Sequence, residues 1–139
     1  MSTAVVSSAR QSFNKVALGT FITGVLSAVL NNVYGGMFTA FTGNSIELVG
    51  PVSITLASFI PTLVAGVAYF ILARFAGNRA SLLYLIGTLG FTLFSFGGPL
   101  GGQLPDGSTP PAFFAALTLP MHVIAGGLAA FALPYFTRR

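Results

Sequence analysis

Four stretches of the chain are almost wholly apolar, at roughly 15–37, 51–73, 80–98 and 112–136. Each approaches the length of about 20 residues that a helix needs to cross a bilayer. Within each stretch, small or polar residues recur at spacings of three and four. The first carries Thr20, Thr23, Ser27, Asn31 and Tyr34. The second carries Thr55, Ser58, Thr62, Gly66 and Tyr69, and the third Tyr84, Thr88, Thr92 and Ser95. The fourth carries Ala115, Thr118, His122, Gly126 and Ala129. Residues so spaced share one helix face. Phe, Leu, Ile and Val fill the remaining faces. In lipid, helices associate through small residues and polar hydrogen bonds rather than the hydrophobic effect. The stripes are therefore expected to face inward. The pattern predicts an all-α membrane protein, a four-transmembrane-helix antiparallel bundle forming one integral membrane domain over 1–139.

Breakers mark the connections. Pro51 opens the second stretch and Pro110-Pro111 the fourth, as suits a helix first turn. "AGNR" (76–79) reads as a tight turn, and "GGPLGGQLPDGSTPP" (97–111) as a loop. The segment "KVALGTFITGVLSAVL" could be the core of a signal peptide. It runs on toward Met37, however, and meets Asn31-Asn32 rather than a small-residue cleavage site. A retained first helix is expected.

Composition points to the same solvent. Of 139 residues, 54% are hydrophobic and 6% charged, against about 25% charged in soluble domains. A short soluble chain could not hide so much apolar surface. The pI of 10.2 comes from six basic residues against two acids. Arg10 and Lys15 precede the first span, Arg74 and Arg79 flank the second connection, and Arg138 and Arg139 end the chain. In a four-span chain all six fall on one side, with Glu47 and Asp106 on the other. That is the positive-inside pattern. It predicts a bacterial inner-membrane protein with both termini cytoplasmic, and it explains the basic charge without nucleic acid.

Little catalytic chemistry is available. There is no cysteine and a single histidine, His122. This excludes disulfides, thiolate metal sites and bis-histidine haem within one chain. Both acids lie in loops, which leaves no intramembrane carboxylate pair and no credible Ser-His-Asp set. An autonomous enzyme is not expected. Ser27, Thr62, Thr88 and His122 fall near the middle of their spans, so they are expected at similar depth. Hydroxyls are then available as partners for the imidazole. With Asn31 they form the candidate ligand-binding set. Two readings of the stripes stand side by side. They are packing surfaces, or they line an interior that holds a ligand, pigment or permeation path anchored by His122. Pro61 and Pro120 lie inside spans, where each kinks its helix and frees a carbonyl that a hydroxyl can satisfy. In "NNVYGG" (31–36), Asn31 lies on the stripe. Asn32 points elsewhere, to a neighbouring helix, a partner subunit or headgroups.

The second half, over about 48–139, resembles an uncharacterised bacterial family of small four-span membrane proteins. The resemblance rests on "VSITLASFIPTLVAGVAYFILARFAGN", "IGTLGFTLFSFGGP" and "LTLPMHVIAGGLAAFALPYFTRR". Thr55, Gly66, His122 and Ala125 match its recurring positions, while the first helix matches poorly. The resemblance implies the fold and draws interest to His122, and it brings no activity. "GTLGFTLFSF" (87–96) is also similar to the third helix of four-helix fluoride channels. Their first-helix arginine and second-helix asparagine have no counterparts here, and the charge bias disagrees with their dual topology. The expected function is a non-catalytic accessory or structural subunit, packed against itself or other membrane subunits within the lipid bilayer. The alternative is a bundle that binds a hydrophobic ligand such as a chlorophyll, carotenoid or quinone at His122. A small channel or transporter is a third reading. The sequence names no cofactor.

Overall fold

Long runs of Leu, Ile, Val, Phe and Ala satisfy their backbone groups internally only as helices or closed barrels. Here they become helices. The structure, a computed structural model, describes residues 12–104 and 106–138. Arg10, Pro105 and Arg139 lie outside the described residues. Four helices are long and apolar enough to cross a membrane: α1 (Phe13–Thr42), α2 (Pro51–Phe75), α3 (Gly77–Leu100) and α4 (Phe114–Thr137). Even the 24-residue α3 and α4 reach about 36 Å at 1.5 Å per residue. That exceeds the roughly 30 Å hydrocarbon core. No strand occurs among the described residues.

Local sequence sets most boundaries. α1 stops at Gly43, whose left-handed φ of 69° lets its N–H reach the Thr39 carbonyl. Pro51 occupies the first position of α2. Gly77 (φ 54°) turns the chain between α2 and α3. Two boundaries differ from expectation. The expected loop from residue 97 begins with another helical turn, Gly97–Leu100, because Phe96 keeps right-handed helical angles and Pro99 falls within a first turn. The fourth helix does not open at Pro110-Pro111. It begins at Phe114, because Phe113 holds a left-handed φ of 65° that no helix can continue through. α4 is also composite. Phe114–Gly127 is α-helical, Leu128–Ala132 is a π-helical turn, and Leu133–Arg138 returns to α.

Two small apolar clusters fix the direction of the helices. Val16, Tyr69, Tyr84 and Leu133 pack together, which joins the start of α1 and α3 to the end of α2 and α4. Ile46, Ile54, Leu117 and Met121 form the second cluster at the opposite end. The helices therefore alternate in direction. α1 is the hub, packed mainly on α2 and on the last turns of α4, whereas α3 leans on α2 and α4.

Between the clusters the interior is polar. Thr20, Thr23, Ser27, Asn31, Ser58, Thr62 and Thr118 are all buried. The exterior is apolar, with Phe41 82%, Phe75 81% and Phe94 82% exposed. The stripes thus face inward on α1, α2 and α4, with one exception: Thr55 is exposed. The α3 stripe is only partly covered, with Tyr84 buried and Thr88, Thr92 and Ser95 half-buried.

Glycine permits two close approaches. A Cβ on Gly66 would collide with Thr20 across the α1–α2 contact, and one on Gly126 would collide with Thr92 across α3–α4. Gly90, in contrast, faces open space. Gly66→Val should therefore destabilise the bundle by about 1–3 kcal/mol. Gly90→Ala should be neutral or slightly stabilising. Thermal unfolding in detergent checks both, and equal effects of the two changes would contradict the packing described.

Candidate functional site

α3 packs closely against α4 near Gly126 but leaves a gap toward α2. The result is a cleft of about 470 Å³ between α2, α3 and α4. α2 contributes Ser58, Pro61 and Thr62, α3 contributes Thr88, Thr92 and Ser95, and α4 contributes Thr118 and His122. Asn31 of α1 also lines it. Most of the remaining wall is apolar, including Phe91, Phe114 and Met121. The site is thus a greasy cleft with a polar stripe.

Of the five residues singled out from sequence, Asn31, Thr62, Thr88 and His122 line this cleft. Ser27 does not line it. It sits one turn before Asn31 on α1, fully buried, and its Oγ has no hydrogen-bond partner. Depth along the span does not say which gap between helices a side chain enters. Ser58, Thr92, Ser95 and Thr118 belong to the site as well. Their place on the stripes was the signal that could have included them.

His122 is half-buried, and its imidazole does not bond to a hydroxyl as expected. Its Nδ1 lies 2.8 Å from the Thr118 backbone carbonyl. The spacing of four residues puts the ring directly over that carbonyl, so the helix itself supplies the partner. A carbonyl can only accept, so Nδ1 carries the proton, and in the neutral form of the ring Nε2 is then the acceptor. Phe96 meets the ring edge to face, with centroids 6.3 Å apart and planes at 82°.

The two asparagines diverge, as "NNVYGG" suggested. Asn31 Nδ2 donates to Ser58 Oγ (2.9 Å) and to the Met121 carbonyl (3.2 Å). It thereby ties α1 to α2 and α4. Because the Met121 carbonyl only accepts, the amide orientation is fixed, and the buried Asn31 Oδ1 is left without a partner. Asn32 Nδ2 donates to the Ala28 carbonyl (2.8 Å) and to Thr55 Oγ1 (3.0 Å). A polar pair thus forms outside the interior, where the exposed Thr55 faces α1.

Prolines shape the walls. Pro120 has no N–H for the Ala116 carbonyl one turn back, and the Tyr34 hydroxyl donates to that carbonyl at 3.0 Å. Pro134 follows the π-turn, at whose end Leu133 N–H bonds the Leu128 carbonyl five residues back. In that register Pro134 would serve Ala129, and the buried Tyr84 hydroxyl donates to Ala129 instead, at 2.8 Å. Sequence reading missed this second pairing, because the shift to five-residue bonding is invisible in residue types. Pro61 removes the usual helical donor of the Ala57 carbonyl, and both residues line the cleft.

Among the described residues, no group of three or more His, Asp or Glu is placed to hold a metal ion. In the connection between α3 and α4, Asp106 accepts from the Ser108 hydroxyl (2.7 Å) and N–H (3.0 Å). These bonds hold its carboxyl below the usual range, and it lies well outside the cleft lining. No family model matches the chain, and neither a curated protein nor a solved structure matches it. The family resemblance therefore rests on the quoted motifs alone.

Two measurements follow from this geometry. Nitrogen-15 spectra of histidine-labelled protein should show a proton on Nδ1 of His122. An Nδ1 without a proton would contradict the bond to Thr118. Tyr34→Phe should lower stability by about 1 kcal/mol, since it leaves the Ala116 carbonyl unpaired. An unchanged unfolding midpoint would contradict that role for Tyr34.

Proposed function

We propose that the chain is a multi-pass protein of the bacterial inner membrane, with both termini cytoplasmic, that binds a small apolar molecule in the α2–α3–α4 cleft. The polar interior and apolar exterior support the membrane setting, since the arrangement of a soluble fold is inverted. The charge distribution supports the orientation. Lys15, Arg74 and Arg79 lie at one end of the bundle, while Glu47 and Asp106 lie in the connections at the other. The observation that carries the binding reading is the cleft itself. Its size falls in the range of ligand sites, and it joins apolar walls to a few convergent polar groups. Its contents are not catalytic. An imidazole whose Nδ1 is tied to its own helix, with hydroxyls around it and no carboxylate, supports holding a molecule rather than transforming it.

A second reading is favoured by α3. Only 11% of its most apolar window is buried, against 44% for α1. A helix so lightly covered suits an accessory or structural subunit that packs in a homo-oligomer or beside larger membrane subunits. On this reading, the bilayer covers whatever the partner does not.

Gentle purification from native membranes followed by mass spectrometry of the intact assembly separates the two readings. Binding predicts a stoichiometric small molecule that Ala125→Leu, which fills the cleft wall, releases without unfolding the chain. The accessory reading predicts a stoichiometric second chain. A bare single chain that takes up no apolar probe would contradict binding. Orientation is testable separately, because the chain has no cysteine. With Ser108→Cys, an impermeant maleimide should label spheroplasts, whereas Asn78→Cys should react only after lysis. The reverse order would overturn the assigned topology.

A further inference from the structure

The cleft's polar stripe is one-sided in its hydrogen bonding. Ser58, Thr62 and Thr118 each donate their hydroxyl proton to the carbonyl four residues back, at 2.7–2.8 Å. Thr92 donates to the Thr88 carbonyl and Ser95 to the Thr92 carbonyl. The Thr88 hydroxyl stands near the Tyr84 phenol, whose own proton is on the Ala129 carbonyl. Asn31 Nδ2 is committed twice, and the buried Oδ1 beside it has no partner. His122 Nδ1–H is committed to Thr118. What the stripe still offers is acceptors: hydroxyl lone pairs, the Ala57 carbonyl behind Pro61, and above all His122 Nε2. Among the described lining hydroxyls, those of Thr88 and of Ser53, which is exposed at the mouth, are the two not tied to a carbonyl.

We propose that the cleft selects hydrogen-bond donors, so that its occupant is an apolar molecule bearing an alcohol or phenol hydroxyl whose O–H is accepted by His122 Nε2. This rests on the binding reading above and adds the chemical class of the ligand. An apolar ketone, quinone or ether of the same shape brings only acceptors. It would set lone pair against lone pair along the stripe, and that mismatch costs binding. The apolar walls supply affinity without discrimination, and the stripe supplies the discrimination. Among the hydrophobic cofactors considered from sequence, an oxidised quinone is therefore a poorer match than its reduced, hydroxyl-bearing form.

A matched pair of probes tests the proposal on the full chain in lipid nanodiscs: naphthol and its methyl ether, methoxynaphthalene. They share the ring system and differ by a donor. Naphthol should bind roughly tenfold or more tightly and should move the Nε2 nitrogen-15 resonance of His122. His122→Phe should bring the two probes to similar affinity. Thr118→Val, which leaves the backbone carbonyl in place, should keep most of the preference even if the His122 variant folds poorly. Equal binding of both probes with an unmoved Nε2 signal would overturn donor selection while leaving the cleft a binding site. Failure of both probes to bind would overturn the binding reading together with the inference.

Discussion

A polar group withdrawn from water has to find its partner within the protein, and most features of this bundle follow from that constraint. The buried stripe carries hydroxyls and amides where a soluble bundle would carry leucine. Most of these hydroxyls bond back to their own helix, as with Thr20 to Val16 and Thr23 to Gly19, and Ser27 is the exception, its buried Oγ having no partner. Such local bonds fix side-chain direction and leave little polarity exposed between helices. They also remove the hydroxyls as donors between helices, so the cross-helix bonds fall to other groups. Asn31 joins three helices, Asn32 meets Thr55, and Tyr34 and Tyr84 reach carbonyls that prolines have freed.

Those tyrosine–proline pairings give the carbonyls at the irregular levels of α4 a donor. Pro120 and the π-turn before Pro134 disturb the helix at two levels. A hydroxyl from a different neighbour, α1 at the first and α3 at the second, repairs each. The repaired irregularities bracket His122 in α4. Close approach of α3 and α4 at Thr92 and Gly126 pins one side of α3 and leaves the gap toward α2.

Much of this was legible in the sequence. Apolar runs gave the four helices, and polar spacing identified the faces that α1, α2 and α4 turn inward. What periodicity could not supply was the lateral position of each helix. Ser27 and Asn31 share a face, yet only Asn31 reaches the cleft. Thr55 shares its stripe with Ser58 but ends exposed beside Asn32. Backbone states were likewise hidden. Nothing in its side chain announces that Phe113 adopts a left-handed conformation, or that helix continues through Pro99. The imidazole's partner lay in its own helix, where counting side-chain hydroxyls does not look.

The bundle is inside out, polar between its helices and greasy toward its surroundings. Magnetisation transfer from lipid acyl-chain protons, measured by solid-state NMR on the protein in a bilayer, tests it most directly. The exposed Val64, Phe94 and Val123 should receive that transfer, and the buried Thr23, Ser27 and Thr62 should not. Strong transfer to Thr23 and Ser27, with none to Phe94 and Val64, would mean that the stripes face lipid and that the bundle is assembled the other way round.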